Sequence, residues 1–308
     1  MRMTSESWSE AKCAGQLAAR FFASHSQAKV VAVFERCLYL EAGRAFVCLG
    51  DGRIGDGPIN VSIVAGSGSD VVAQSHVGDV VVISEGIATA PGWRLDLRRF
   101  ESWVPPAWPT CVGENAIAEV IAKVEGIARS MLPLDGLLPL VVSEAVGFAR
   151  AGVFERLAEP RLARLERWLA AQKSAQAGGE PPVDLLGFGP GLTPSGDDAL
   201  CGVLLALEAI RSQPAARALQ CLASAIERES AGATTALSGQ FLSAAIEGQG
   251  SAVLHDFVGV LVGGDAARIP AAIEKLARVG HSSGLDAAAG VIIALRAFAG
   301  DRRAPRSP

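Results

Sequence analysis

Short apolar runs alternate with turns in the first hundred residues. These runs lie at 29–34, 45–49, 59–64, 70–73 and 79–83. Because they are short, rich in β-branched residues and separated by Gly- and Asp-rich turns, they predict the strands of a small β-barrel or sandwich. A Pro-rich stretch at 103–110 ends the pattern. We therefore predict a β-rich domain over residues 1–110.

After residue 110 the apolar positions recur at helical spacing. Ile117, Val120, Ile121 and Val124 fall at i, i+3, i+4 and i+7, which predicts one buried face of a helix over 114–130. Further helices are predicted at 137–150, 153–173 (interrupted near Pro160), 197–211, 215–229, 235–247, 252–262, 267–278 and 285–299, before a frayed tail at 301–308. Strands followed by a run of helices predict an α+β fold. The larger, mainly helical domain is expected over 111–308.

Composition narrows the class of protein. Half of the 308 residues are hydrophobic and 19% are charged, so most of the chain has enough apolar material for a packed core. The net charge is −4, and no basic block is present that would neutralise nucleic-acid phosphates. We therefore expect no nucleic-acid partner.

The cysteines and the apolar runs indicate the compartment. The six cysteines form no C-x-x-C pair and lie at no zinc-ligand spacing, which is typical of free thiols in a reducing compartment. The start of the chain is polar and lacks the apolar segment of a secretory signal, and no apolar run reaches 18 residues. These features predict a cytoplasmic protein without a membrane partner.

The most informative motif is LLGFGPGLTPSGDD over 185–198. Its glycines allow positive φ and close approach of the backbone to a ligand. Ser195 is predicted to cap a helix, with Asp197 and Asp198 in the first turn, where the helix dipole favours carboxylates. Free N–H groups at such a helix start can hold a phosphate or a carboxylate.

The two aspartates complicate this interpretation, because they would repel a bare anion. A Mg²⁺ ion held by Asp197 and Asp198 would remove the conflict. Alternatively, the carboxylates bind a cationic or amide group of the substrate, or they only cap the helix. No G-K-[ST] follows the glycines, as a Walker loop requires, and the dinucleotide-binding fingerprint is also absent. The string is faintly similar to the phosphate loop of galactokinase-type kinases.

Two clusters follow downstream. Thr234, Thr235 and Ser238 lie at a predicted helix start, where the hydroxyls either cap the helix or contact a ligand. The second cluster, Gly-His-Ser-Ser-Gly over 280–284, precedes Asp286 and repeats the order Ser-Gly, Asp, helix of the first motif. A hydrolytic triad is disfavoured because no G-x-S-x-G elbow is present.

These three clusters together resemble the AllH-type subunit of oxamate carbamoyltransferase, and 57–63 and 93–103 are also similar. The resemblance implies a multi-subunit enzyme of purine-nitrogen catabolism that converts oxalurate and phosphate to oxamate and carbamoyl phosphate, or the reverse. Partners would be the other subunits and a small anionic substrate. The Ser-Thr-Arg-Thr-Arg phosphate loop of ordinary carbamoyltransferases is absent, so any shared chemistry would be convergent.

On this basis the sequence predicts the following site. Asp197, Asp198 and His281 are the candidate catalytic residues, with His281 as general acid or base. No cofactor is implied with certainty, and Mg²⁺ at Asp197 and Asp198 stays possible. The predicted ligand-binding residues are Gly189, Gly191, Thr193, Ser195, Gly196, Thr234, Thr235, Ser238, Ser282, Ser283, Gly284 and Asp286.

Two other functions remain open at this stage. The chain can be a ligand-binding or scaffolding subunit that catalyses nothing, or a phosphotransferase that acts alone with Mg-ATP. A nucleotide site would show itself as stabilisation of the protein by Mg-ATP.

Overall fold

A computed structural model describes residues 7–64, 68–131, 135–142, 153–174 and 178–298. The chain divides into two compact units, Met1–Pro106 and Ala107–Pro308. The first is built of strands and the second of helices, and each is described by itself.

The described residues of the first unit form nine strands and two α-helices. The strands are β1 (Ser7–Gly15), β2 (Gln27–Val33), β3 (Cys37–Ala42), β4 (Ala45–Asp51), β5 (Asn60–Ile63), β6 (Val80–Ser84), β7 (Ile87–Ala90), β8 (Trp93–Asp96) and β9 (Glu101–Trp103). The helices are α1 (Gln16–Ser24) and α2 (Gly68–Ala73), and a 3₁₀ turn covers Gly52–Ile54.

Eight of these strands close into a mixed barrel. Their order is β5-β4-β3-β2-β6-β7-β8-β1, and β1 pairs back with β5. The β1–β8 and β4–β5 pairs are parallel, while β9 pairs with the C-terminal end of β1. Side chains alternate between the core and the outside, as Leu38 and Leu40 of β3 show by being fully buried. The prediction of a small β-barrel followed by a mainly helical region is confirmed.

One predicted strand is wrong. Residues 70–73 belong to helix α2, in which the N–H of Gln74 donates to the carbonyl of Asp70 at 3.0 Å. An apolar run of four residues carries too little periodicity to separate a strand from a helical turn. Conversely, β1 carries no run of apolar residues, because it is built largely of Ser, Glu, Lys and Ala.

The second unit contains nine helices within its described residues. They are α3 (Glu114–Ser130), α4 (Leu138–Val142), α5 (Val153–Ala171), α6 (Ser195–Ile210), α7 (Gln213–Ala233), α8 (Ala236–Ile246), α9 (Ala252–Val262), α10 (Ile269–Leu276) and α11 (Ser283–Phe298). None of the described helices is both long and apolar enough to cross a lipid bilayer.

The predicted helices match this set with two qualifications. Helix α5 runs through Pro160, so the predicted interruption there is wrong. Of the helix predicted at 137–150, α4 accounts for 138–142, whereas 143–150 and the predicted frayed tail at 301–308 lie outside the described residues.

Helices α6 and α11 form the centre of this unit and pack against each other most closely. Small residues allow this approach. A Cβ on Gly202 would lie 2.0 Å from the carbonyl oxygen of Ala287, and a Cβ on Gly290 would lie 1.9 Å from that of Ala199. Side chains on nearly all faces of both helices are buried, as expected for helices inside a core.

Candidate functional site

The Gly-rich loop folds back on itself before α6 begins. Gly187, Gly189 and Gly191 have φ of 69°, 120° and 97°, which L-residues rarely adopt. The N–H of Gly196 donates to the carbonyl of Phe188 at 2.8 Å. A Cβ on Gly187 would lie 1.9 Å from the carbonyl oxygen of Ala233, so the loop is pressed against the end of α7.

Helix α6 starts one residue earlier than its predicted cap allows. Its N-cap is Pro194, whose carbonyl accepts the N–H groups of Asp197 and Asp198. Ser195 was predicted to be the N-cap, and this is wrong, because it is the first helical residue. The fixed φ of proline suits this position, and the Ser195 side chain is free to hydrogen-bond with Asp286.

Asp197 is completely buried, and both of its carboxylate oxygens accept hydrogen bonds. The N–H of Gly187 donates to Oδ1 at 2.7 Å. The hydroxyl of Ser238 donates to Oδ2 at 2.7 Å, and the hydroxyl of Thr234 donates to the same oxygen. Asp197 therefore ties the Gly-rich loop to the start of α8, and two of the predicted ligand-binding hydroxyls are used in that structural contact.

Thr235 caps α8 and also holds the loop. Its Oγ1 accepts the N–H of Ser238 at 3.0 Å and donates to the carbonyl of Leu192 at 2.6 Å. Of the two roles predicted for these hydroxyls, capping the helix is the one that Thr235 has. The same hydroxyl fixes the tip of the Gly-rich loop.

Asp198 has a different environment from its neighbour. Its carboxylate lies near the hydroxyls of Ser283 and Thr193, which favour its charged form. The Oδ2 atom is buried and has no hydrogen-bond partner among the described residues. Burial raises the pKa of this carboxyl well above its usual range, and the nearby charges of Asp286 and Asp197 raise it further.

Asp286, at the start of α11, is also completely buried. The N–H of Leu137 donates to its Oδ1 at 2.6 Å, and the hydroxyl of Ser282 donates to its Oδ2 at 2.8 Å. The Ser195 side chain also lies near this carboxylate and favours its charged form. Burial raises the pKa of Asp286, although these hydrogen bonds act in the opposite direction.

The starts of α6 and α11 repeat each other in sequence and in contacts. Both helices begin Ser-Gly-x-Asp, from Ser195 to Asp198 and from Ser283 to Asp286. Each serine lies near the aspartate of the other helix and favours the charged form of that carboxylate. The two helix starts therefore bring Asp198 and Asp286 close to each other.

The turns before the two helices are also similar in their backbone hydrogen bonds and glycine positions. The N–H of Gly284 donates to the carbonyl of Val279 at 3.2 Å, as the N–H of Gly196 does to Phe188. A Cβ on Gly196 or Gly284 would come within 2.0 Å of a carbonyl oxygen, so both positions require glycine. The first turn is the longer of the two, and its additional residues form the exposed tip of the loop.

That tip presents backbone donors. The N–H groups of Gly189, Gly191, Leu192 and Thr193 donate no hydrogen bond within the described part of the chain. Gly191 and Leu192 are exposed. Successive free N–H groups next to a helix start are an arrangement that binds oxyanions in proteins.

His281 lies on the surface at the start of α11. Its side chain is 88% exposed, and its Nε2 lies 3.8 Å from Oδ2 of Asp135, which is also exposed. The structure thus places this candidate acid or base on the rim of the site, whereas Asp198 and Asp286 lie inside it.

The arrangement does not fit Mg²⁺ at Asp197 and Asp198. A metal ion would have to displace the hydrogen bonds that occupy both oxygens of Asp197. Within the described ranges, no group of three or more His, Cys, Asp or Glu side chains is placed to hold a metal ion. Magnesium normally takes several oxygen ligands in octahedral geometry.

Sequence reasoning missed the segment before α4. Leu137 supplies an N–H to Asp286, and a Cβ on Gly136 would lie 2.3 Å from Oδ1 of that aspartate. The local signal in the sequence is the glycine itself, Gly136, whose φ in the structure is 82°. Nothing in the sequence links it to a residue so distant along the chain.

Residues 185–295 match the model of the family described as oxamate carbamoyltransferase subunit AllH. The resemblance inferred from the motifs is confirmed over this region, which includes the loop, α6 and most of α11. No curated protein and no solved structure matches the chain.

Proposed function

We propose that this protein is a subunit of a multi-subunit carbamoyltransferase that interconverts oxalurate plus phosphate and oxamate plus carbamoyl phosphate. The Gly-rich loop would bind the phosphate or the carboxylate of the ligand. One observation carries the proposal: free N–H groups at the loop tip lie beside the paired starts of α6 and α11, within the region that matches the family.

The reaction shows what such a site must supply. A phosphate oxygen attacks the carbamoyl carbon of oxalurate, and the bond from that carbon to the oxamate nitrogen breaks. The bond's electron pair goes to this nitrogen, which takes up a proton as oxamate leaves. Negative charge develops on the carbamoyl oxygen, and fixed N–H donors and helix starts stabilise such charge.

The residues take distinct parts in this proposal. Asp197 is a positioning residue, because its oxygens are occupied by Gly187, Thr234 and Ser238. His281, on the rim, is the candidate group that gives the proton to the leaving nitrogen or takes it away. Its imidazole carries no buried partner that would prevent movement toward a bound ligand.

The subunit character of the family implies other carbamoyltransferase subunits as partners. We place the assembled complex in the cytoplasm, a reducing compartment in which the six cysteines would stay free thiols. Catalysis by the assembly is compatible with a binding site on this chain and further groups on its partners.

A thermal-shift series on the full chain tests the anion site. We expect phosphate, oxamate, oxalurate and carbamoyl phosphate to raise the melting temperature, because a ligand that binds only the folded state stabilises it. A ligand at about 100 times its dissociation constant contributes about 2.7 kcal/mol. Gly191→Ala, which forces an L-residue into positive φ at the loop tip, should reduce the shift.

Gly126→Ala is the matched control, since this glycine lies on an exposed helix position with open space around it. It should leave the ligand shifts unchanged. No shift with any of the four ligands would contradict binding by this chain and favour a scaffolding subunit. Stabilisation by Mg-ATP alone would instead favour a phosphotransferase.

A further inference from the structure

The geometry points to Asp198 as the acceptor that recognises an N–H donor of a carbamoyl or primary amide group in the ligand. This inference rests on the proposed function, to which it adds the chemistry that separates the substrate from other small oxyanions. The N–H groups at the loop tip would bind an oxyanion but would not distinguish an amide from a methyl ketone. An acceptor for an N–H donor makes that distinction.

The starting observation is a buried acceptor without a donor. Oδ2 of Asp198 has no solvent access and no hydrogen-bond partner among the described residues. A buried carboxylate oxygen left in this state is costly, and folded proteins rarely keep one without a purpose. The neighbouring Asp197, in the same helical turn, accepts hydrogen bonds on both oxygens. The fold therefore supplies donors to the carboxylate of this turn that has a structural role.

The second step concerns charge. Asp286 lies close enough to Asp198 for the two carboxylates to repel each other. A bare phosphate or carboxylate next to Asp198 would increase the repulsion, whereas an N–H donor would reduce it. A primary amide offers N–H donors, which suits the oxygen of Asp198 that has none.

The third step concerns distance to the oxyanion subsite. Thr193 links the two subsites, because its hydroxyl lies near the Asp198 carboxylate and its own N–H donates no hydrogen bond within the described part of the chain. The N–H donor and the oxyanion of the ligand must therefore lie only a few bonds apart. Carbamoyl phosphate, oxalurate and oxamate all have this arrangement.

Binding requires the loop to move. The Thr193 hydroxyl lies 3.1 Å from that of Ser283, and both residues lie next to the Asp198 carboxylate. Separating these two side chains would give the ligand access to Oδ2. The glycines at 189 and 191 provide the backbone freedom for such a movement.

Calorimetric titration of the full chain with oxamate and with pyruvate tests the inference. The two anions differ by an amide NH₂ in place of a methyl group. We expect oxamate to bind about 10- to 100-fold more tightly, the equivalent of one hydrogen bond to a charged group. In Asp198→Asn the preference should fall below about threefold, mainly through weaker oxamate binding.

Asp265→Asn serves as the control, because Asp265 is an exposed carboxylate of the same unit, away from the site. It should keep the wild-type preference. Equal binding of oxamate and pyruvate by the wild-type chain would overturn the amide inference and leave the anion site standing. An unchanged preference in Asp198→Asn would overturn the role of Asp198. Failure of both ligands to bind would overturn the anion site together with the inference.

Discussion

Asp197 and Asp198 are neighbours in the sequence, but their carboxylates have opposite environments. Asp197 receives three hydrogen bonds and links the loop to α8. Asp198 faces a second buried carboxylate and keeps one oxygen without a donor. Substitution of each by Asn therefore has opposite effects on stability.

Asp197→Asn should lower the free energy of unfolding. The amide nitrogen would face N–H and O–H donors, so at least one hydrogen bond to a charged acceptor is lost, at a cost of about 1.5–3 kcal/mol. Urea denaturation measures this difference. Asp265→Asn should leave the unfolding midpoint unchanged, and an equally unchanged midpoint for Asp197→Asn would contradict the linking role of Asp197.

Asp198→Asn should instead raise the free energy of unfolding at neutral pH, by about 1–3 kcal/mol, because it removes a charge that Asp286 repels and that has one buried oxygen without a donor. The folded-state pKa of Asp198 lies above its unfolded value. The folded state therefore binds the proton more tightly, and the wild-type protein loses stability as the pH rises from about 4 toward the folded pKa.

The gain from Asp198→Asn should accordingly grow with pH over that window and stay constant above it. Thermal melts between pH 4 and pH 8 measure this dependence. Asp286, Asp197 and His281 face the same site and are present in both proteins, so the comparison isolates Asp198. A variant less stable than wild type at every pH would show that the carboxylate has a structural role.

At the scale of elements, the close crossing of α6 and α11 holds the two halves of the site together. Gly202 and Gly290 each face a carbonyl oxygen of the other helix at a distance that excludes a Cβ atom. Small residues at a helix crossing allow the backbones to approach, and the core on either side cannot relax without moving the helix starts.

Gly202→Ala should destabilise the protein by at least about 1–3 kcal/mol, the usual cost of overpacking a core. It should also weaken oxamate binding, because Ser195 and Ser283 would move apart. Gly126→Ala is the matched control and should stabilise by about 0.5–1 kcal/mol through helix propensity. Denaturant unfolding of both variants decides the point, and a neutral Gly202→Ala would contradict the close crossing.

At the scale of the whole molecule, the chain combines a closed barrel with a helical unit that carries the family match. Under the proposed function, turnover requires partner subunits. The contribution of this chain is therefore best measured inside the assembled enzyme, with one subunit replaced at a time.

An assembly that contains Asp198→Asn should form normally and show kcat/KM for carbamoyl transfer reduced by about 10- to 100-fold, corresponding to the loss of one hydrogen bond to a charged group. Steady-state kinetics with oxamate and carbamoyl phosphate, and size-exclusion chromatography of the assembly, check both statements. The assembly with Asp265→Asn should be fully active. Full activity with Asp198→Asn would place the carbamoyl site on another subunit.

Local patterns in the sequence determined most of the elements and the centre of the site. The periodicity of 114–130 predicted α3 with its bounds, because a helix face repeats within a few residues. The glycines before α6 predicted a positive-φ loop at a helix start for the same reason. Where local signal was weak, as at residues 70–73, the prediction failed.

Only the tertiary structure decided which residues meet. The contact of Asp198 with Ser283, the contact of Asp286 with Leu137 and the satisfied state of Asp197 all join segments that are distant along the chain. Hydrophobic periodicity and spacing report on neighbours within a turn or two. Pairing across the fold depends on how α6 and α11 pack, which their glycines permit but the sequence pattern does not specify.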